Sequence, residues 1–342
     1  MSVSVRPFGF TREGEEVRAF TIENDLGASC TLLDYGATVQ SLLVPNRDGG
    51  LTDVVLGFDT VAGYENQGAF IGATIGRVGN RLGGARFSLN GREHVLFDND
   101  NGSCLHGGKK GFDKYVWAAE IAGDYAVRFS RLSPDGEENF PGNLEVSVTF
   151  RLIPERAELR IDYDAISDAD TLFAPTNHSY FDLSGCGRAM EQQLRINADR
   201  YLLLGPGTLP TGKTALVYDT AFDFTQFKPV GRDIGADEEQ LRLGGGYDHN
   251  FCLSGPFAAE LKSEVTGIRM QVFTDMPGVQ LYTANFLGTQ IGKGGREMQN
   301  RGALCLETQL WPNAMNCWGF PSPVVRKGQP VHSGTVYSFE LI

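Results

Sequence analysis

From Leu144 to Leu152 apolar and polar residues take turns: Leu144, Val146, Val148, Phe150 and Leu152 alternate with Glu145, Ser147, Thr149 and Arg151. After residues 153–156 the alternation resumes, with Ala157, Leu159, Ile161, Tyr163 and Ala165 set against Glu158, Arg160, Asp162 and Asp164. Successive side chains of a strand point to opposite faces, so this spacing predicts an antiparallel hairpin with one buried face. Shorter runs of the same kind predict strands at 17–23, 39–45, 54–58, 268–273 and 336–341. Turn-forming clusters such as Asn46-Arg47-Asp48-Gly49-Gly50 and Ser133-Pro134-Asp135-Gly136 punctuate them. No long helical period appears, and short helices are expected only near 222–227 and 238–241. The pattern predicts an all-β fold, a large antiparallel β-sandwich. With no low-complexity linker and no internal repeat, residues 1–342 are expected to form a single domain.

Composition narrows the partners. The net charge of −12 argues against nucleic acid or an anionic membrane, either of which needs a basic surface. No run approaches the roughly 18 consecutive apolar residues of a membrane span. Residues 1–17 show neither a continuous apolar segment nor the small-residue cleavage site of a secretion signal. The six cysteines, at 30, 104, 186, 252, 305 and 317, contain no C-x-x-C pair. They read as free thiols, mostly buried, and the expected location is the cytoplasm.

Several short runs carry polar groups that chemistry can use. Residues 304–316 read LCLETQLWPNAMN, placing Leu304, Leu306 and Leu310 on one side of a strand and Cys305, Glu307 and Gln309 on the other. A carboxylate in so apolar a strand is costly to bury unless hydrogen-bonded or at work, although a solvated strand face would explain it equally well. In PTNHSYFDLSG, residues 175–185, His178 stands among Thr176, Asn177, Ser179 and Tyr180. IGATIGRVGNRLGGA (71–85) presents Asn80 and Arg81 on a turn-rich edge, without the G-x-G-x-x-G spacing of a phosphate loop. His106 precedes a Gly-Gly turn, Asp248 lies between a glycine turn and an apolar strand, and Gln280 stands opposite Val279 and Leu281 on its strand. Alone, each of these has an ordinary structural explanation. The five histidines (94, 106, 178, 249, 332) are far apart in sequence and form no H-x-x-H or H-x-x-x-H pair, so no metal is expected. A G-x-S-x-G nucleophile elbow is also absent from the sequence.

Taken together, IGRVGNRL, CLHGGKKGFDKYVW, PTNHSYFDLSG, YDHNFCL, PGVQLYTANFL and LETQLWPNAMN, in this order along nearly the whole chain, resemble the galactose mutarotase (aldose 1-epimerase) family. The resemblance implies a large antiparallel β-sandwich with a sugar-binding groove, a free aldohexose as substrate, and no cofactor. It assigns Glu307 as general base and His178 as general acid, and Asn80, Arg81, His106, Tyr180, Asp248 and Gln280 to the sugar. Two positions depart from the family pattern. Asn313, in Trp311-Pro312-Asn313, stands where Asp is common and bears on groove polarity; Gly79 stands where Ala is frequent. A monomer or weak homodimer is expected.

The chemistry suits those groups. Interconverting anomers requires a base to take the C1 hydroxyl proton while an acid protonates the ring oxygen; the opened chain rotates about C1–C2 and recloses. Glu and His, with ordinary pKa values near about 4.3 and 6.5, fit these roles. A carboxylate beside His178 is expected to favour imidazolium. Three alternatives stand beside this reading. One is a glycoside hydrolase using Asp248 and Glu307. Another is a hexose-phosphate epimerase with Arg77, Arg81, Lys109, Lys110 and Lys114 around a phosphate. The last is a noncatalytic sugar-binding protein.

Overall fold

The hairpin read from the alternation lies within the largest sheet. In the computed structural model, which describes residues 2–342, strand Leu144–Leu152 pairs antiparallel with Glu158–Ser167, setting Phe150 opposite Ile161 and Val148 opposite Tyr163. Burial follows the period: Leu144, Val148, Phe150 and Ile161 are buried, while Glu145, Arg151 and Arg160 are exposed. The nine strands of this sheet run in the order Ala118–Ile121, Ala126–Ser133, Leu144–Leu152, Glu158–Ser167, Val331–Leu341, Ile268–Thr274, Phe257–Lys262, Gln193–Ile196 and Lys228–Pro229.

A six-stranded sheet has the order Tyr180–Phe181, Leu304–Gln309, Gly278–Tyr282, Asp248–Leu253, Ala198–Leu204 and Pro210–Leu216. A five-stranded meander runs from Val3–Phe10 through Glu16–Glu23, Ser29–Leu33 and Thr38–Pro45 to Leu51–Asp53. One core joins all three: Phe129, Phe150 and Ile161 of the nine-stranded sheet, Val279, Leu304 and Leu306 of the six-stranded sheet, and Phe20, Leu32 and Val39 of the meander share a contiguous buried cluster. Each such side chain contributes about 1.5–3 kcal/mol on burial, which is what holds the layers together. The all-β antiparallel sandwich expected from the alternation is the observed fold.

Residues 54–58 do not form the strand their composition suggests. Val54 N donates to Leu42 O of the meander, and Leu56 N donates to Tyr180 O of the six-stranded sheet. The segment crosses from one sheet edge to another, so no single partner gives it a ladder. Residues 222–227 are turns, not a helix: Thr220 Oγ1 accepts from Phe222 N (3.0 Å) and Asp223 Oδ1 from Thr225 N (3.0 Å), side-chain bonds that compete with helical ones. The helix expected at 238–241 is Glu239–Gly244, closed by Gly245 at φ 66°. Another short helix, Val61–Glu65, is capped by Thr60 and left no periodic signal.

Candidate active site

The strand Leu304–Gln309 is buried along its whole length. Leu304 and Leu306 face the main core, whereas Cys305 belongs to a separate cluster with Tyr180, Leu287 and Met298. Leu310 lies past the strand end and packs with Val78, Leu82 and Phe87 in a third cluster, off the face expected for it. In register, Tyr180 and Tyr282 flank Cys305, Gln280 lies opposite Glu307, Asn250 opposite Gln280, and Asp248 opposite Tyr282. Opposed residues share a face, so strand pairing brings Glu307, Gln280, Asp248 and both tyrosines to one side of this sheet.

Loops supply the rest. His178 follows the two-residue strand Thr176–Asn177, and its backbone is held on both sides: His178 N donates to Ala73 O and Gly72 N donates to His178 O. The polar neighbours that drew attention in the sequence serve this loop. Thr176 Oγ1 donates to Thr308 O (2.9 Å), Asn177 Nδ2 donates to Gly72 O (3.0 Å), and Asn177 Oδ1 accepts from Ser179 (2.6 Å). His106 and Asn80 clasp each other: His106 N donates to Asn80 O and Asn80 N donates to His106 Nδ1, each near 3 Å. Both residues adopt positive φ, 51° and 59°. Gly107, after His106, must be glycine, since a Cβ there would lie 2.0 Å from Gly76 O.

These elements enclose a cavity of about 600 Å³ whose walls include Asn80, Arg81, His106, His178, Tyr180, Asp248 and Glu307. A shallower groove of about 660 Å³ lies over the strands from Ala118 to Ile166, but its charged groups, such as Arg128 and Asp164, stand on a solvated face. On the cavity floor Glu307 Oε2 lies 3.8 Å from His178 Nε2, and has no hydrogen-bond partner among the described residues. Arg81 Nε donates to Asp100 Oδ2 (2.7 Å), and its Nη1 stands 3.9 Å from Asp248 Oδ2. Tyr180 hydroxyl donates to Ala69 O (2.9 Å).

Burial pushes Glu307 well above the ordinary carboxylate range, Asp248 adds to the rise, and Arg81 opposes it. Burial also pushes His178 down to about 4 and His106 well below its ordinary value. The imidazolium expected from a neighbouring carboxylate is therefore not the favoured form: removal from water outweighs the attraction. Carboxylic acid with imidazole and carboxylate with imidazolium contain the same single proton, so a proton passing between Glu307 and His178 interconverts the two forms.

The structure brings together histidines that are distant in sequence: donor atoms of His106, His178 and Glu307 lie within 4.8 Å of one another. Two histidines and a glutamate can bind zinc, but His106 is unsuited to it. Its Nδ1 accepts the Asn80 amide hydrogen, so the neutral ring carries its proton on Nε2. That side of the ring offers an N–H to a sugar oxygen, not a lone pair to a cation.

Gln280 lies one layer behind the cavity wall, donating through Nε2 to Asp248 Oδ1 (2.7 Å). The cavity also takes Phe70, Asp100, Thr208, Tyr282, Phe286 and Gln290, which no sequence signal marked. Asn313 does not act on the groove: it is buried elsewhere, its Oδ1 accepting from Gly83 N (3.0 Å). At Gly79 a Cβ would meet Ala174 O and the Thr176 methyl at 3.2 Å, so an alanine there would need its neighbours to give by a few tenths of an ångström. The five-residue phosphate pocket is not assembled. Arg77 is buried and donates to Ser133, Pro134, Pro141, Gly142 and Thr171. Lys110 pairs with Glu13, Lys114 with Asp113, and Lys109 lies over Phe97.

The family model for aldose 1-epimerase matches residues 18–338. A galactose mutarotase from Homo sapiens is 39% identical over 335 residues, which cover 96% of this chain and 95% of that protein. An aldose 1-epimerase from Escherichia coli (strain K12) is 34% identical over 335 residues, 96% of each chain. Among solved structures, an aldose epimerase homologue from C. elegans aligns with a TM-score of 0.88 at 31% identity, covering 94% of this chain and 98% of its own. The protein is thus an isomerase, an enzyme that interconverts the anomers of aldoses. It belongs to the aldose 1-epimerase family.

Proposed function

We propose that the substrates are free aldohexoses, galactose and glucose among them, with Glu307 as general base and His178 as general acid. The observation that carries this reading is the approach of Glu307 Oε2 to His178 Nε2, 3.8 Å, on the floor of a cavity walled by Asn80, Arg81, His106 and Asp248. A C1 hydroxyl donating to Glu307 Oε2 stabilises the carboxylate form; Glu307 then takes the C1 hydroxyl proton while the His178 imidazolium delivers its own proton to the ring oxygen and the C1–O5 bond breaks. After rotation about C1–C2 the aldehyde presents its other face, and as the ring recloses His178 takes its proton back from the ring-oxygen hydroxyl while Glu307 returns its proton to the C1 oxygen. Each positioned acid or base contributes typically about 10²–10⁴ in rate.

Arg81, Asp248, Asn80 and His106 orient the ring hydroxyls, with Gln280 supporting Asp248 from behind. Tyr180 packs against His178, ring centroids 5.1 Å apart, and fixes the plane of the imidazole. The working form proposed is a monomer or weak homodimer. Four of the six cysteines are buried and all are free, in keeping with a cytoplasmic location; no helix among the described residues is long and apolar enough to cross a membrane.

The test is polarimetry of freshly dissolved α-D-galactose with wild type and Glu307→Gln side by side. Fast equilibration by wild type alone is expected. Background-rate traces from both would overturn the galactose assignment, and equal fast traces would remove Glu307 from the mechanism.

A further inference from the structure

Behind the cavity wall three amides and a carboxylate form a hydrogen-bond chain with a direction. Gln280 Nε2 donates to Asp248 Oδ1 (2.7 Å), so Gln280 Oε1 faces away and needs a donor of its own. Gln309 Nε2 supplies it at 3.1 Å, and donates also to Asn250 Oδ1 at 3.1 Å. Gln309 Oε1 is buried without a partner among the described residues, so the orientation of this amide is dictated by the two carbonyls it meets. The backbone makes room for the arrangement: at Gly278, paired with Gln309 in the ladder, a Cβ would lie 2.5 Å from Asn250 Oδ1. Gln309, Gln280 and Asn250 are all at most 3% exposed, where a misdirected amide is costly.

We infer that Gln309 is a positioning residue for anomer interconversion: by donating to Gln280 Oε1 it holds the Gln280 NH2 toward Asp248, and so aims the Asp248 carboxylate at the sugar. This rests on the function proposed above. Without the Gln309 donor, Gln280 Oε1 is left buried and unpaired, and the amide loses the anchor that keeps its NH2 on Asp248. The groups facing Asp248 are Arg81, Asp100, Glu307, Tyr180, Tyr282 and Cys305. Burial raises the Asp248 pKa, while Arg81 and then the Gln280 hydrogen bond hold it down. Loss of that bond moves the titration to higher pH, so activity falls away sooner on acidification.

The experiment is Gln309→Met, followed by the pH profile of kcat/KM for galactose, the split between kcat and KM, and equilibrium galactose binding. A loss of roughly 10- to 100-fold in kcat/KM, the worth of one hydrogen bond to a charged group, is expected chiefly in KM. The acid limb should shift upward, and adding Gln309→Met to Asp248→Asn should cost little more. A loss equal at every pH, or additive with Asp248→Asn, would overturn the inference. Should Gln309→Met not fold, Gln309→Asn keeps an amide but withdraws it by one methylene, and the same readouts decide. If wild type shows no anomer exchange, the functional reading fails instead. Binding then tests the chain by itself: weaker, pH-shifted galactose binding by the variant upholds it, and unchanged binding refutes it.

Discussion

At the scale of single residues, the site places titratable groups where water does not stabilise their charges. Glu307 is 2% exposed and its pKa is raised by burial and by Asp248. A carboxyl whose folded pKa lies above its unfolded one contributes its stability below the unfolded value, near about 4.3, and loses it as pH rises through the folded pKa. Glu307→Gln does not titrate. Its melting temperature is therefore expected to match wild type at about pH 4 and to exceed it increasingly as pH rises, by calorimetry. A difference independent of pH would mean that Glu307 is not strained by its burial. His178 was legible as a chemical candidate because a polar run surrounds it, yet that run turned out to hold the loop. Its depressed pKa was not legible, since burial depends on residues distant in sequence, such as Phe70 and Tyr282, brought beside it by folding.

At the scale of elements, alternation predicted strands well wherever one partner lies on each side, as in Leu144–Leu152. It failed at 54–58, where the partner changes midway, and the short helix expected at 222–227 is absent because Thr220 and Asp223 bend the chain. The same period placed Glu307 opposite the core leucines, but strand register with Gln280 is a property of pairing, invisible in one segment. The elements also divide the work. No residue of the nine-stranded sheet lines the cavity. Phe150→Ala, in the middle of that sheet, is expected to cost about 3–5 kcal/mol of stability while leaving kcat near wild type below the melting transition. Denaturant unfolding and polarimetry together check it; a large fall in kcat in the folded variant would show that the two layers are coupled.

At the scale of the molecule, the cavity draws on residues near 70, 80, 106, 178, 248 and 307. The ordered motifs made most of these positions legible through their resemblance to a family. Asp100 and Phe70 were not, because a turn aspartate and an apolar phenylalanine carry no mark of a cavity wall. The strap at residues 54–58 has a consequence for how the protein breathes. Its amides are anchored to two different sheets, Val54 to Leu42 and Leu56 to Tyr180, so opening either sheet alone leaves one anchor in place. The amino-terminal meander is consequently stitched to the sheet bearing Tyr180, and the two should open as one cooperative unit. In native-state deuterium exchange, the amides of Val54 and Leu56 are expected to share the slow rates of the meander strands and of Leu304–Gln309 and to vanish with them. Early exchange at Val54 or Leu56 would show that the meander lifts away while the catalytic sheet stays shut.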